Sequence, residues 1–235
     1  MPEQGLVTLE GQVARHMVQV LRLSAGEQVE LFDGRRRCLA RLQQGQRQRV
    51  SLEIEQTLDC LPASPLRVHL GQGIGKGERM DWVIQKATEL GVAAITPLYT
   101  QQSEVRLKGD REEKKMRHWQ QVAISACEQS GRDDLPVIHA PQPLTRWLEM
   151  RTETLRLLLH PGQSPELMSQ TQPRVSDLAI LVGPEGGWHA SEVSSALAQG
   201  FHCWTLGPRV MRMETAPVAA LAILQQRWGD LAFEE

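Results

Sequence analysis

From Leu66 onward the chain alternates short apolar runs with stretches of helical periodicity, a pattern that restricts it to a mostly parallel sheet with helices on both faces. Strands are expected at 66–70, 93–99, 155–160, 178–182 and 203–206, and helices at 78–90, 111–129, 191–199 and 217–228. In the first helix Met80, Val83, Ile84, Ala87 and Leu90 recur at helical spacing, and Gly91 suits the left-handed position that ends a helix. Ligands of such sheets bind beyond the carboxyl ends of the strands, so those loops are where function is expected.

The residues before Leu66 follow another rule. Between Leu6 and Ile54 the chain reads as short strands and turns, including 28–32, 38–42 and 50–54, and Asp33-Gly34 tolerates the positive φ of a tight hairpin. A small antiparallel barrel is expected there. The stretch from Thr57 to Pro65 breaks periodicity with Pro62 and Pro65, which remove backbone donors and favour extended chain. The expected domains are therefore 1–60 and 66–235.

With 235 residues, 41% of them hydrophobic and 23% charged, the chain can bury a core without disulfides or metals. Its apolar runs are too short to cross a bilayer, and the polar opening Met1-Pro2-Glu3-Gln4 lacks a basic region followed by an apolar one, which implies no membrane association and a cytoplasmic location. Cys38, Cys60, Cys127 and Cys203 form no CxxC pair and have no histidine at zinc-ligand spacing, so reduced thiols are expected. A net charge of −2 gives no overall attraction for polyanions; nucleic-acid binding needs a local patch, for which Arg35, Arg36, Arg37, Arg41, Arg47 and Arg49 qualify. The alternative is that these arginines line solvated strand faces.

Gly71-Gln72-Gly73-Ile74-Gly75-Lys76-Gly77 lies between a strand and a helix but fails both phosphate-loop patterns. Gly77 follows Lys76 where a Walker loop needs Ser or Thr, and Lys76 stands where the dinucleotide motif needs Gly. It reads as a flexible turn, with Lys76 and Arg79 available to RNA phosphates. More informative are three strand exits: Leu157-Leu158-Leu159-His160-Pro161-Gly162, Leu181-Val182-Gly183-Pro184-Glu185-Gly186-Gly187-Trp188, and Leu206-Gly207-Pro208-Arg209-Val210-Met211-Arg212-Met213-Glu214-Thr215-Ala216. Glycines allow close backbone approach, so loops of this kind can wrap a flat ligand and bond it through main-chain groups.

On the LVGPEGG loop followed by LGPRVMRMET, the chain resembles the RsmE family of ribosomal RNA uridine-N3 methyltransferases, within the SPOUT superfamily. The likeness also takes in His16 to Arg22 and Ile84 to Gly91, and so runs over nearly the whole length. The resemblance implies a PUA-like RNA-binding barrel before a trefoil-knotted methyltransferase domain that works as a homodimer. Periodicity shows no knot, and on sequence pattern alone an unthreaded doubly wound sheet is expected.

The implied cofactor is S-adenosylmethionine, held by Leu158, His160, Pro161, Gly183, Pro184, Glu185, Gly186, Gly187, Leu206, Met211, Met213 and Thr215, with Leu158, Leu206 and Met211 flanking the adenine. The implied substrate is small-subunit ribosomal RNA, as naked RNA or as the assembled subunit. Uridine N3 is weakly acidic and its anion is the better nucleophile, which calls for a base and a cation beside it; Glu214 and Arg212 match the family motif, with a loop-stabilising ion pair as the alternative. Arg22, Arg35, Arg36, Arg37, Lys76, Arg79 and Arg132 are the expected RNA contacts. A non-catalytic RNA-binding protein on this scaffold, or a methyltransferase for another nucleoside, are the competing readings.

The chain departs from the family pattern at several points. No arginine occurs in Met1–Gly5, Gln101-Gln102-Ser103 stands where a Ser-Arg pair is usual, and Asp133-Asp134 follows Arg132 where another arginine is expected. His189 takes the place of a helix-capping serine, with Ser191 expected to cap instead.

Overall fold

The structure is a computed structural model that describes residues 4–161 and 174–231. Met1–Glu3 and Gly162, which figure in the expectations above, lie outside the described residues. The chain divides into two compact units, one ending at Pro62 and including Gly131–Leu135, the other beginning at Ala63.

In the first unit β1 (Gly5–Glu10), β2 (Gln28–Phe32), β3 (Arg37–Gln46) and β4 (Arg49–Leu58) form an antiparallel sheet in the order β1-β4-β3-β2. Alternation decides what is buried: Cys38, Ala40 and Leu42 of β3 and Val50, Leu52 and Ile54 of β4 face one core. The Asp33 carboxylate accepts the N–H groups of Arg35 and Arg36 at 3.0 and 2.9 Å, which closes the β2–β3 hairpin with Gly34 at φ 83°. The expectation of strands throughout fails between Gly11 and Val20, which form α1 (Gly11–Arg15) and a π-helical continuation, His16–Val20. Ala14 and Met17, three apart, drop onto the sheet core; that spacing was the available signal.

Three of the six clustered arginines are paired within their own sheet. Arg37 grips Glu30 with two nitrogens at 2.9 and 2.6 Å, Arg41 pairs with Glu55 at 2.5 Å, and Arg49 lies 3.5 Å from Glu10. Cross-strand pairs of this sort hold sheet faces, as the solvated-face reading anticipates for these three. Arg35, Arg36 and Arg22 are exposed, Arg22 with an unusual φ of 55° for a residue with a side chain. Arg132, an expected RNA contact, is half-buried and grips Asp134 at 2.9 and 2.7 Å, while buried Asp133 accepts the N–H of Leu61 at 2.7 Å. The two aspartates thus have structural work where arginine was expected.

The second unit carries β5 (Arg67–Gly73), α2 (Arg79–Glu89), β6 (Ala94–Tyr99), α3 (Asp110–Ser130), β7 (Val137–Ile138), β8 (Gln142–Pro143) and α4 (Leu144–Glu149). It continues with β9 (Leu155–Leu159), β10 (Asp177–Val182), α5 (Ala190–Ala198), β11 (His202–Trp204) and α6 (Thr215–Trp228). All its strand pairs are parallel, in the order β11-β9-β10-β5-β6-β7, with β8 also on β6. Leu178, Ile180 and Val182 of β10 join α2, α3 and α6 in one core, whereas Ala179 and Leu181 join α4 and α5 in another. The period of two therefore builds a helix layer on each face. Helix α4 and strands β7 and β8 were not expected, being too short for periodicity to register.

Asp81 fastens α2 to α3 by accepting from the Trp119 indole at 3.0 Å and lying 2.7 Å from His118 Nε2. On the α4 face His69 stacks on His139 with ring centroids 5.3 Å apart, meets Trp147 edge-on, and touches Arg151, which is paired with Glu153 at 2.8 Å. Burial pushes both imidazoles down. Burial alone would raise the Glu153 carboxyl, but His69, its own backbone N–H and Arg151 reverse this and hold it at about 2.

A carboxyl lowered from 4.5 to about 2 contributes stability that is present above pH 4.5 and lost as pH falls through about 2. At 1.36 kcal/mol per unit the contribution is roughly 3 kcal/mol. The lowered histidines act in the same sense below their ordinary 6.5. Glu153→Gln is expected to cost about 3 kcal/mol at pH 7 and to flatten the acid limb below pH 4.5, read by urea denaturation across pH. Wild-type stability in that variant at pH 7 would contradict this account.

Candidate active site

Because β11, β9, β10 and β5 are parallel neighbours, their carboxyl ends lie along one edge, where the three glycine- and proline-rich exits meet. Between them is a crevice of about 630 Å³ walled by His160 and Pro161 after β9, Gly183 to Trp188 after β10, and Val210 to Glu214 before α6. A smaller recess of about 250 Å³ adjoins it, lined by Leu206, Pro208, Met211 and Trp204. The loops are stitched together by main-chain groups. His160 N–H donates to the Trp204 carbonyl at 3.2 Å, Thr205 Oγ1 donates to the His160 carbonyl at 3.1 Å, and the Trp188 indole donates to the Leu159 carbonyl at 3.1 Å.

In the glycine segment at the end of β5, Gly73 and Gly75 are closely packed, whereas Gly77 has open space around it. A Cβ on Gly73 would lie 2.5 Å from Pro184 Cδ and 2.6 Å from its nitrogen, and one on Gly75 would overlap the Met213 sulfur. These glycines let β5 press against the floor of the Gly183 and Met213 loops. Beneath them Gln72, fully buried, directs its amide NH₂ at the carbonyls of Gly73 and Gly183, 3.1 and 3.3 Å away. Neither the contact nor the burial of a polar residue in this strand was legible in the sequence. Gln101 N–H donates to Glu192 of α5 at 2.8 Å, and Gln102 lies against the β10 loop, where a Cβ on Gly186 would meet it at 3.0 Å. His189, not Ser191, caps α5; its Nδ1 accepts the Ser191 N–H at 3.3 Å while Glu192 accepts the His189 N–H at 3.0 Å. An imidazole with its proton on Nε2 leaves Nδ1 free to accept that N–H.

Of the expected ligand residues, His160, Pro161, Gly183, Pro184, Glu185, Gly186, Gly187, Met211 and Met213 line the crevice and Leu206 its recess. Leu158 does not: it is buried in the Trp147 and Phe201 core, and Leu159, one residue on and therefore on the opposite face, lines the crevice instead. Thr215 opens α6 and faces a neighbouring cavity of about 720 Å³ with Lys76, Arg79, Trp82, Arg212 and Glu214.

Arg79, expected to touch RNA phosphate, bridges two carboxylates of the site, pairing closely with Glu185 and lying 3.9 Å from Glu214. The pairing foreseen as the alternative for Arg212 and Glu214 is thus made by Arg79. Among the described residues no hydrogen bond or ion pair engages the Arg212 side chain. Burial would raise the Glu185 carboxyl, but the Lys76 N–H at 2.9 Å, its own N–H and Arg79 hold it below the ordinary range. Lys76 Nζ pairs with Glu104 at 2.6 Å.

Among the described residues no cluster of three or more His, Cys, Asp or Glu side chains is placed to hold a metal ion, the four cysteines are free thiols, and no helix is long and apolar enough to cross a membrane. The crevice offers backbone groups, apolar walls, the Arg212 guanidinium and the carboxylates of Glu185 and Glu214.

Known proteins carry the same framework. Residues 62–225 match the RNA methyltransferase domain model and residues 9–55 the RNA methyltransferase PUA domain model. The ribosomal RNA small subunit methyltransferase E of Bacillus subtilis is 30% identical over 92% of this chain and 88% of its own length, and that of Buchnera aphidicola 37% identical over 71% of this chain and 66% of its own. The crystal structure of the Neisseria gonorrhoeae ribosomal RNA small subunit methyltransferase E bound to S-adenosylmethionine superposes with a TM-score of 0.91 at 36% identity, covering 99% of this chain and 96% of that one. A domain match over more than half the chain, together with relatives alike from sheet to sheet, means that the chain belongs to the ribosomal RNA small subunit methyltransferase E family.

Proposed function

We propose that the protein transfers a methyl group from S-adenosylmethionine to N3 of a uridine in the 16S RNA of the small ribosomal subunit. The observation that carries this reading is the meeting of three strand-exit loops around a crevice with Arg212 and Glu214 in one wall. The crevice suits the cofactor: Gly183 and Gly186 leave flat backbone where a Cβ would strike Trp188 at 3.2 Å and Gln102 at 3.0 Å, and Leu206 and Met211 supply apolar surface for a purine. When bound, the cofactor supplies a methyl group on a sulfonium, ready for displacement.

The chain's own residues supply position and charge. The loops hold the methyl donor and the acceptor base in line, which replaces a rare bimolecular encounter by a near-attack arrangement. Glu214 accepts the N3 proton and the Arg212 guanidinium balances the charge that develops on the base. Arg79, itself paired with Glu185, orients Glu214.

The reading extends to the rest of the chain. Residues 1–60 form a PUA-like barrel that holds RNA through Arg22, Arg35 and Arg36, residues 66–235 form the trefoil-knotted methyltransferase domain, and the protein works as a cytoplasmic homodimer on ribosomal RNA or the assembled subunit. The two domain matches and the antiparallel sheet of the first unit support the division into an RNA-binding and a methyltransferase part. Purified protein given methyl-labelled S-adenosylmethionine is expected to label RNA in unmodified small subunits and not in large subunits. Label in neither, with cofactor binding intact, would favour a non-catalytic RNA-binding protein.

A further inference from the structure

Of the six tryptophans, Trp119, Trp147, Trp204 and Trp228 are buried and Trp188 is half-buried with its N–H bonded; Trp82 alone is exposed, at 40%. Among the described residues nothing bonds its indole. An amphipathic helix does not need a large apolar side chain on its outer face, since α2 already buries Met80, Val83, Ile84 and Ala87. Trp82 sits three residues after Arg79, so the two share a helix face, and it lines the 720 Å³ cavity with Lys76, Arg79, Arg212 and Glu214.

That cavity and the proposed cofactor crevice share one wall, made by Arg79, Arg212 and Glu214. The cofactor occupies one side of this wall in the proposed reading, so the methyl acceptor has to approach from the other, where Trp82 is. We propose that Trp82 is a stacking platform for an unpaired nucleobase of the acceptor RNA. The inference rests on the RNA methyltransferase reading and adds a nucleotide subsite to it. An indole face takes any base by stacking. The cavity's volume is within the ~300–1,000 Å³ typical of small-ligand sites, enough for a nucleotide. Glu78 and Glu214 also line it and Lys76 is paired with Glu104, so stacking on the indole, not phosphate contact, carries the subsite.

The test uses the full-length protein and its Trp82→Ala and Trp82→Phe variants. Equilibrium binding to unmodified small subunits is measured without methyl donor, and S-adenosylmethionine affinity, methyl-transfer kinetics and molecular mass in solution are measured alongside. Trp82→Ala is expected to weaken RNA binding and raise the RNA KM by about 5- to 150-fold, the range for loss of one stacked base, with cofactor affinity and mass unchanged. Trp82→Phe, which keeps an aromatic face, is expected to recover most of the loss. Unchanged RNA binding in Trp82→Ala would overturn the proposal, as would a change of mass, which would mean that the indole covers a second copy of the chain. Because binding is read without turnover, a wild-type protein that binds RNA but transfers no methyl would count against the reaction and leave the platform to be judged on binding.

Discussion

Arg212→Ala is expected to lower methyl transfer by about 10²- to 10³-fold, the loss typical of removing one charge-stabilising donor from a transition state. Cofactor affinity should stay within about twofold, because the interaction is made with the base and not with the methyl donor. The structure gives two reasons for the size of the effect. Arg212 is the wall residue without an ion pair among the described residues, so its charge is available to the base, and Arg79 cannot substitute because Glu185 and Glu214 already hold it. The Arg212 carbonyl accepts the Thr215 and Ala216 N–H groups at 2.9 and 3.0 Å, which fixes the backbone at the start of α6 whatever the side chain. Alanine there should fold normally. Near wild-type turnover in Arg212→Ala would remove this residue from the mechanism.

The second large effect is expected from Gly73→Ala, a single methyl added at the end of β5. Its neighbours are the Pro184 ring and the backbone of Gly183, at 2.5 to 3.0 Å, so no side chain can swing aside and the β10 loop itself must shift. Overpacking of this kind costs about 1–3 kcal/mol of stability. The larger consequence is local: a displaced Gly183 loop should weaken S-adenosylmethionine binding by more than about tenfold, since a shift of an ångström in a preorganised site is enough. Calorimetric titration and urea denaturation check the two parts. Gly109→Ala is the comparison, because Gly109 lies outside the crevice with φ 52° and nothing within 4 Å of an added Cβ, so backbone strain of about 1–2 kcal/mol is all that is expected. Equal cofactor affinities in the two variants would contradict the close-packing account of Gly73.

The layers of the second unit were legible because burial follows simple periods: β10 sends alternate residues to opposite cores, and α2 buries Met80, Val83, Ile84 and Ala87. The convergence of three loops was legible for the same reason, since parallel strands put their exits on one edge. What was missed depends on which residue of a pair faces the ligand and on contacts between distant segments. Leu158 and Leu159 are equally apolar, and only the register of β9 decides which is buried. Arg79 reads as a surface cation until Glu185, 106 positions away, is found beside it. Gln72, Gln101 and His189 act through backbone groups that no local pattern reveals. The short helix at Gly11–Arg15 is a different case, because its spacing was present but the surrounding strands outweighed it.

The most direct test of the central claim is the identity of the methylated nucleoside. Small ribosomal subunits lacking their native modification are incubated with the protein and methyl-labelled S-adenosylmethionine, and the digested RNA is analysed by mass spectrometry. The account predicts labelled 3-methyluridine; label on another base or on ribose, or no labelled nucleoside from protein that binds the cofactor, would contradict it.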